Sequence, residues 1–224
     1  MKNVFVETNW IVAAAAPVHL RLRDAIELVE MARRGEIRLH VPSICFSEAQ
    51  HPIRSKYHPR AAADSIRKYF AWATAEQDSD GHEIEIVRRV LDRYERRVVI
   101  ELDQLQATLD EFQRRPGIDV FPLDEQMLRR SVELSTQQLD LKPYDQAILA
   151  ALLVRADQLR AAGEVELCFF ELDGDLQPWD RNGRSKQPLA TLYDKAQIWV
   201  YGDFAMKSPE RRPSWPLGSN DVSV

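Results

Sequence analysis

Short apolar runs alternate with helical periodicity along this chain, and that alternation limits its fold more than any other feature. Val4-Phe5-Val6, residues 165–172 and Ile198-Trp199-Val200-Tyr201 are continuous apolar stretches of the length expected for strands covered on both faces. Residues 37–41 alternate with period two before Pro42, and Ile118-Asp119-Val120-Phe121 reads as a further short strand. Between the strands, apolar residues recur every three or four positions. Ala25, Leu28, Val29 and Ala32 lead to a stop at Gly35. Behind a cap at Asp124, Met127, Leu128, Ser131, Val132 and Leu139 are expected to point inward. Ile148, Ala151 and Leu152 line a helix that ends at Gly163, and residues 189–196 are predicted helical. The pattern predicts an α/β fold, a parallel sheet between two helical layers in a three-layer sandwich.

The middle of the chain departs from this pattern. After Pro59, the residues Ala62, Ile66, Tyr69, Phe70 and Ala73 mark one amphipathic helix. From Ile84 the apolar positions run through Val87, Leu91, Tyr94, Val98, Leu102, Leu105, Leu109 and Phe112. They predict a long helix or a helix pair ending at Pro116-Gly117. The polar positions mix arginine with acid, as on a solvated face; a coiled-coil-like seam making a homodimer is the sharper alternative. Residues 53–116 are therefore expected to be a helical insertion in a single domain over residues 1–208. Ser43 is expected to cap a short helix that Pro52 breaks, and the proline-rich residues 209–224 read as a loose tail.

A chain of 224 residues, 45% of them hydrophobic, has enough apolar surface for a core that needs no covalent staple. Its two cysteines, Cys45 and Cys168, lie in apolar stretches and read as reduced core thiols. No apolar run approaches the ~20 residues of a spanning helix, and the first strand begins without a signal-peptide pattern. A cytoplasmic protein without a membrane segment is expected. The net charge of −5 argues against coating nucleic acid by bulk charge, so only local cationic clusters would serve. Phosphate-loop, dinucleotide, nucleophile-elbow and zincin motifs are all missing from the sequence.

Four acids stand where an α/β fold gathers side chains. Glu7 follows the first strand and Asp173 follows the apolar run at 165–172. Glu48 lies in the apolar Ser43-to-Ala49 stretch, and Asp145 lies near the start of a helix behind Pro143. Glu7, Asp173 and Asp145 each have a plain structural explanation, as solvated acid, turn residue or helix-dipole partner, whereas Glu48, a charge in an apolar stretch, needs a partner or a metal. Together they would make an oxygen-rich pocket for a hard divalent cation at strand ends. Asp173-Gly174-Asp175 also suits the acidic motif of a metal-dependent phosphatase, although Glu7 is a poor substitute for that class's nucleophilic Asp.

The order of these motifs resembles the PIN-domain nuclease family, VapC-like ribonucleases among them. Glu7-Thr8-Asn9 matches the acid, Thr or Ser, and Asn that end that family's first strand. Ser43 to Glu48 matches a Ser-initiated helix presenting Glu, and Asp145-Gln146-Ala147-Ile148-Leu149-Ala150-Ala151 matches the D-A-x-I-A-A-like helix start. Glu171-Leu172-Asp173-Gly174-Asp175-Leu176 loosely matches the T-x-D-x-D-F-like turn, and Phe121-Pro122-Leu123-Asp124 the approach to the penultimate helix. The resemblance covers residues 1–52 and 117–202. Two positions depart from it: Glu171 replaces a Thr, and Glu7 replaces an Asp. The longer Glu7 displaces its carboxylate by about 1.5 Å, which would weaken a magnesium site or favour manganese.

The resemblance implies a Mg²⁺- or Mn²⁺-dependent endoribonuclease, with Glu7, Glu48, Asp145 and Asp173 catalytic. Glu7, Asp145, Asp173 and Asp175 would be the metal ligands. Thr8 and Asn9 would hold Glu7 in place, with Ser43 as a further support behind the ligands. RNA is the implied substrate. The toxin of a toxin–antitoxin pair, with an antitoxin protein as partner, is the implied biological role. An RNA-binding or assembly module that has lost turnover is the alternative. For holding RNA, the acid-free stretch from Ala49 to Ala63 offers Arg54, Lys56 and Arg60 beside His51, Tyr57 and His58. Arg181, Arg184 and Lys186 form a second basic patch.

Overall fold

A computed structural model describes residues 1–76, 81–137, 139–172 and 174–205. In chain order the elements are β1 (Lys2–Val6), α1 (Thr8–Ala14), α2 (Arg23–Arg33), β2 (Ile37–Pro42), α3 (Ser43–Lys56), α4 (Arg60–Ala75), α5 (Gly81–Asp103) and α6 (Leu105–Arg114). There follow β3 (Ile118–Phe121), α7 (Glu125–Ser135), α8 (Pro143–Ala161), β4 (Leu167–Phe170), α9 (Leu189–Ala196) and β5 (Ile198–Tyr201). The strands form one parallel sheet in the order β3-β2-β1-β4-β5. From β1 the chain steps outward through β2 to β3. It then crosses back to place β4 on the other side of β1, a topological switch point between β1 and β4. The helices fall into two contacting sets. One joins α1 to α2 and α3, and α3 to α6; the other joins α7, α8 and α9. β2 touches α2, α3 and α8, so the sheet lies between the two sets, as the alternation predicted.

Local sequence explains most element ends. Gly35, at φ 74, takes the left-handed position behind α2, and the Asp124 carboxylate caps α7 by accepting the Met127 N–H at 2.8 Å. Gly117, at φ 83, brings the start of β3 against the end of α2. A Cβ there would lie 2.3 Å from the Ala32 carbonyl oxygen. The insertion is a helix pair, α5 and α6, preceded by α4. Of the apolar stripe, Leu91, Val98, Leu102, Leu105, Leu109 and Phe112 are buried within the chain, and Ile84, Val87 and Tyr94 are half-buried.

Five expectations change. β4 is shorter than residues 165–172, because its pairing with β1 and β5 begins only at Leu167, and Val165 is exposed. α3 runs through Pro52, with Ile53 fully buried on the core, and Pro42 rather than Ser43 is its N-cap residue. α7 is rotated from the expected face: Met127 and Leu134 are buried, whereas Leu128 and Val132 are exposed. On α4, Ile66 and Tyr69 point to solvent while Ala73 is buried; the side chain of Ala62 lies outside the described residues. In β2 only Arg38 is exposed, and His40 is fully buried. The tail over residues 209–224 lies outside the described residues.

His40 is accommodated by a polar chain across three strands. Its Nδ1 meets Asp119 Oδ2 at 2.8 Å, and its Nε2 meets Asn3 Oδ1 at 2.9 Å. Arg155 on α8 donates to the same Asp119 oxygen at 2.6 Å, and Asn3 Nδ2 donates to Glu164 at 3.0 Å. The His40 hydrogen bond, reinforced by Arg155, holds the Asp119 carboxyl well below the usual carboxylate range. Among the described residues no helix is long and apolar enough to cross a membrane.

Candidate active site

Parallel pairing brings two acids together. Val6 of β1 is in register with Phe170 of β4, so the next residues, Glu7 and Glu171, leave adjacent strand ends at the switch point. Both are buried, at 6% and 1% exposure. Glu7 also begins α1, its Oε1 accepting the Asn9 backbone N–H at 2.8 Å. Tyr193 of α9 packs in the same corner, fully buried. Burial first, then the Glu171 and Glu7 charges, push its phenol well above its usual range. It therefore stays protonated, and its hydroxyl donates to the Leu176 carbonyl at 3.0 Å.

Glu48 joins from the other side. The Thr8 hydroxyl donates a short hydrogen bond to Glu48 Oε2, tying the first turn of α1 to α3. The Cys45 thiol on the same helix as Glu48 is fully buried. Burial raises it well above its ordinary value, and the Glu7 and Glu48 charges add to the shift, so it is a core thiol and not a nucleophile. Thr8 thus holds Glu48, because α1 packs directly on α3. Asn9 holds Glu7 through its backbone, and its side-chain Nδ2 is buried without a hydrogen-bond partner among the described residues. Ser43 lines a groove with Phe46, Ser47, Gln50 and Gln106.

Asp145 occupies the first turn of α8, half-buried behind Pro143. Asp173 lies outside the described residues. Asp175, expected as a metal ligand, makes an exposed ion pair with Lys142 at 3.6 Å. Among the described residues, no group of three or more His, Cys, Asp or Glu side chains lies close enough to hold one ion. The donor set still suits a hard cation in kind, since Glu7 and Glu171 are neighbouring buried carboxylates.

Sequence reasoning passed over Glu171 except as a departure from the resembled turn. The available signal was positional: it follows Phe169-Phe170 as Glu7 follows Phe5-Val6. The loop beyond it is pinned from several sides. Gln177 Nε2 donates to the Glu171 carbonyl at 2.7 Å, and Lys186 Nζ donates to the carbonyls of Gly174 and Asp175 at 2.9 and 3.0 Å. Lys186 is therefore an internal strut, and Arg181 and Arg184 remain as the exposed cations there. Arg54, Lys56 and Arg60 are exposed at the junction of α3 and α4, with Lys56 over the Tyr57 ring at 5.3 Å.

No family model, curated protein or solved structure matches this chain.

Proposed function

We propose that this chain is a divalent-metal-dependent endoribonuclease of PIN-like fold. The observation that carries the reading is the pair Glu7 and Glu171, buried side by side at the carboxyl ends of β1 and β4. The all-parallel order β3-β2-β1-β4-β5, with a helical insertion between β2 and β3, supports the PIN-like assignment. Glu7 and Glu171 are the residues that would hold Mg²⁺ or Mn²⁺, completed on binding by Asp173 from the following turn and by Asp145, which forms no three-acid group with them before the ion enters. Such a cation, when bound, supplies Lewis-acid stabilisation of the phosphoryl and leaving oxygens. Glu48, which accepts the Thr8 hydroxyl, would take the proton from an attacking water. Arg54, Lys56, Arg60, Arg181 and Arg184 would contact the RNA backbone. A role as the toxin of a toxin–antitoxin pair, neutralised by an antitoxin protein, belongs to the same reading.

One observation favours a second reading, an RNA-binding module without turnover. The described residues include no three-acid group around a single point, and glutamate replaces the shorter acid at position 7. One experiment separates the two: incubation of the protein with single-stranded and structured RNA in Mg²⁺, Mn²⁺ or EDTA. Cleavage that EDTA abolishes supports the nuclease; RNA binding without cleavage in either metal supports the module. Absence of both binding and cleavage sinks both.

A further inference from the structure

Where the chain leaves β4, side chains take over from the strand ladder in holding its backbone. Gln177 Nε2 donates to the Glu171 carbonyl at 2.7 Å, and Lys186 Nζ donates to the carbonyls of Gly174 and Asp175 at 2.9 and 3.0 Å. The Tyr193 hydroxyl takes the Leu176 carbonyl at 3.0 Å. The chain then folds back on itself: Trp179 is bridged to Ser185, and the Lys186 N–H donates to the Pro178 carbonyl at 2.8 Å. Loop carbonyls commonly turn to water; these four are met by protein.

Gln177 differs from the other donors. It is 6% exposed and its bond to Glu171 is buried, whereas the bonds of Lys186 lie nearer the surface. A buried amide needs a partner, and this one reaches back six residues to the acid that ends the strand. Pro178 prepares that reach, because the residue before a proline favours extended backbone. Glu171 is held on its other side as well, its N–H donating to the Tyr201 carbonyl of β5 at 3.0 Å. A residue has only two soft backbone dihedrals, so holding both its N–H and its C=O fixes the direction of its side chain. The donor is also neutral. An ammonium at this carbonyl would compete with a divalent cation for the adjacent carboxylates, and an amide does not.

We propose that Gln177 is the positioning residue for Glu171. By holding the Glu171 carbonyl, it sets before any ion arrives how that carboxylate stands beside Glu7, and so it sets the affinity of the pair for a hard divalent cation. The proposal rests on the metal-site reading above. Ligands need placement within about 0.5 Å, which a strand end held on one side only does not supply.

The test titrates Mn²⁺ into the full-length protein by calorimetry, comparing wild type with Gln177→Met and Gln177→Asn. Methionine keeps the length and removes the donor. Asparagine keeps the amide but withdraws it by about 1.5 Å, out of hydrogen-bond reach, and serves where the methionine variant does not fold. Gly163→Ala is the control, since it strains the turn before β4, at the opposite end of that strand. Both Gln177 variants should bind Mn²⁺ about tenfold or more weakly, the usual result of losing such a support behind a ligand. Their kcat for RNA at fixed Mn²⁺ should fall with KM unchanged, and added Mn²⁺ should restore part of it. Gly163→Ala should melt earlier yet keep the Mn²⁺ affinity and kcat of wild type. Unaltered Mn²⁺ affinity in the Gln177 variants, with wild type binding the ion, overturns this proposal and leaves the nuclease reading standing. A loss shared equally by Gly163→Ala makes the effect one of stability and overturns it too. Failure of wild type to bind Mn²⁺ removes both. Mn²⁺ binding that depends on Gln177, in a wild type that never cleaves RNA, upholds the placement of Glu171 and removes the ribonuclease.

Discussion

Glu7 and Glu171 stand next to each other at the ends of parallel strands whose last registered pair is Val6 and Phe170. Two buried carboxylates so placed repel when ionised, and a cation between them would relieve the repulsion. Glu171→Gln removes one charge at constant size. Without metal its stability should stay level or rise. Mn²⁺ should raise the melting temperature of wild type more than that of the variant, because only a site that binds the ion gains stability from it. Divalent-dependent RNA cleavage should fall at least about a hundredfold, roughly 2.7 kcal/mol of transition-state stabilisation. Equal activity and an equal Mn²⁺ shift in both proteins would remove Glu171 from the site.

Asp145→Asn tests the α8 side of the same site. Asp145 is a first-turn acid, so its loss forgoes a helix-dipole contribution of about 0.3–1 kcal/mol. Activity should nevertheless fall about a hundredfold or more. Full activity in the variant would show that Asp145 is an N-terminal helix acid and nothing else.

Thr8→Val keeps shape and removes the hydroxyl that donates to Glu48. Stability should drop by about 1–2 kcal/mol, since a charge-assisted hydrogen bond is lost at a nearly buried position. Catalysis should decline by about tenfold, with KM little changed, because Glu48 would keep its charge but lose its orientation. Thr8→Ser should restore most of the rate. If the serine variant is as impaired as the valine one, packing of the methyl group is what matters.

The Asp119 carboxyl is held below its ordinary range by His40 and then Arg155. A depressed acid contributes stability that is fully present above its unfolded value, about pH 3.9, and lost as pH falls through the lower folded value. Denaturation by urea at successive pH values should therefore show wild type losing stability below about pH 4 more steeply than Asp119→Asn. At neutral pH, Asp119→Ala should cost about 3 kcal/mol or more, because it strips partners from the buried His40 and from Arg155. Parallel pH curves for wild type and Asp119→Asn would contradict the role given to this carboxylate.

Two glycines with similar backbone angles should respond differently to alanine. Gly163, at φ 89, has open space where a Cβ would lie, so Gly163→Ala should cost about 1–2 kcal/mol of conformational strain. Gly117→Ala adds a collision with the Ala32 carbonyl and should cost clearly more than that in chemical denaturation. Equal losses at the two positions would mean that the α2–β3 approach opens freely.

The sequence by itself determined where most strands and helices lie. The bounds of α9 and β5, the Asp124 cap, the Gly35 stop and the helix pair closing the insertion were all legible, because each depends on neighbours within a few residues. Glu7 was legible for the same reason, as an acid ending an apolar run. Tertiary structure decided everything that depends on pairing distant segments. Glu171 becomes a partner of Glu7 only through the register of β1 with β4. Thr8 reaches Glu48 only because α1 packs on α3, and α3 passes Pro52 with Ile53 buried on the core. The rotation of α7 likewise follows from its packing on α8, where Met127 joins Phe121, Ala151 and Val154. Periodicity records that a segment has an apolar face. Which acids that face brings together is settled by the neighbour it packs against, and the sequence separation between those neighbours carries no local signal.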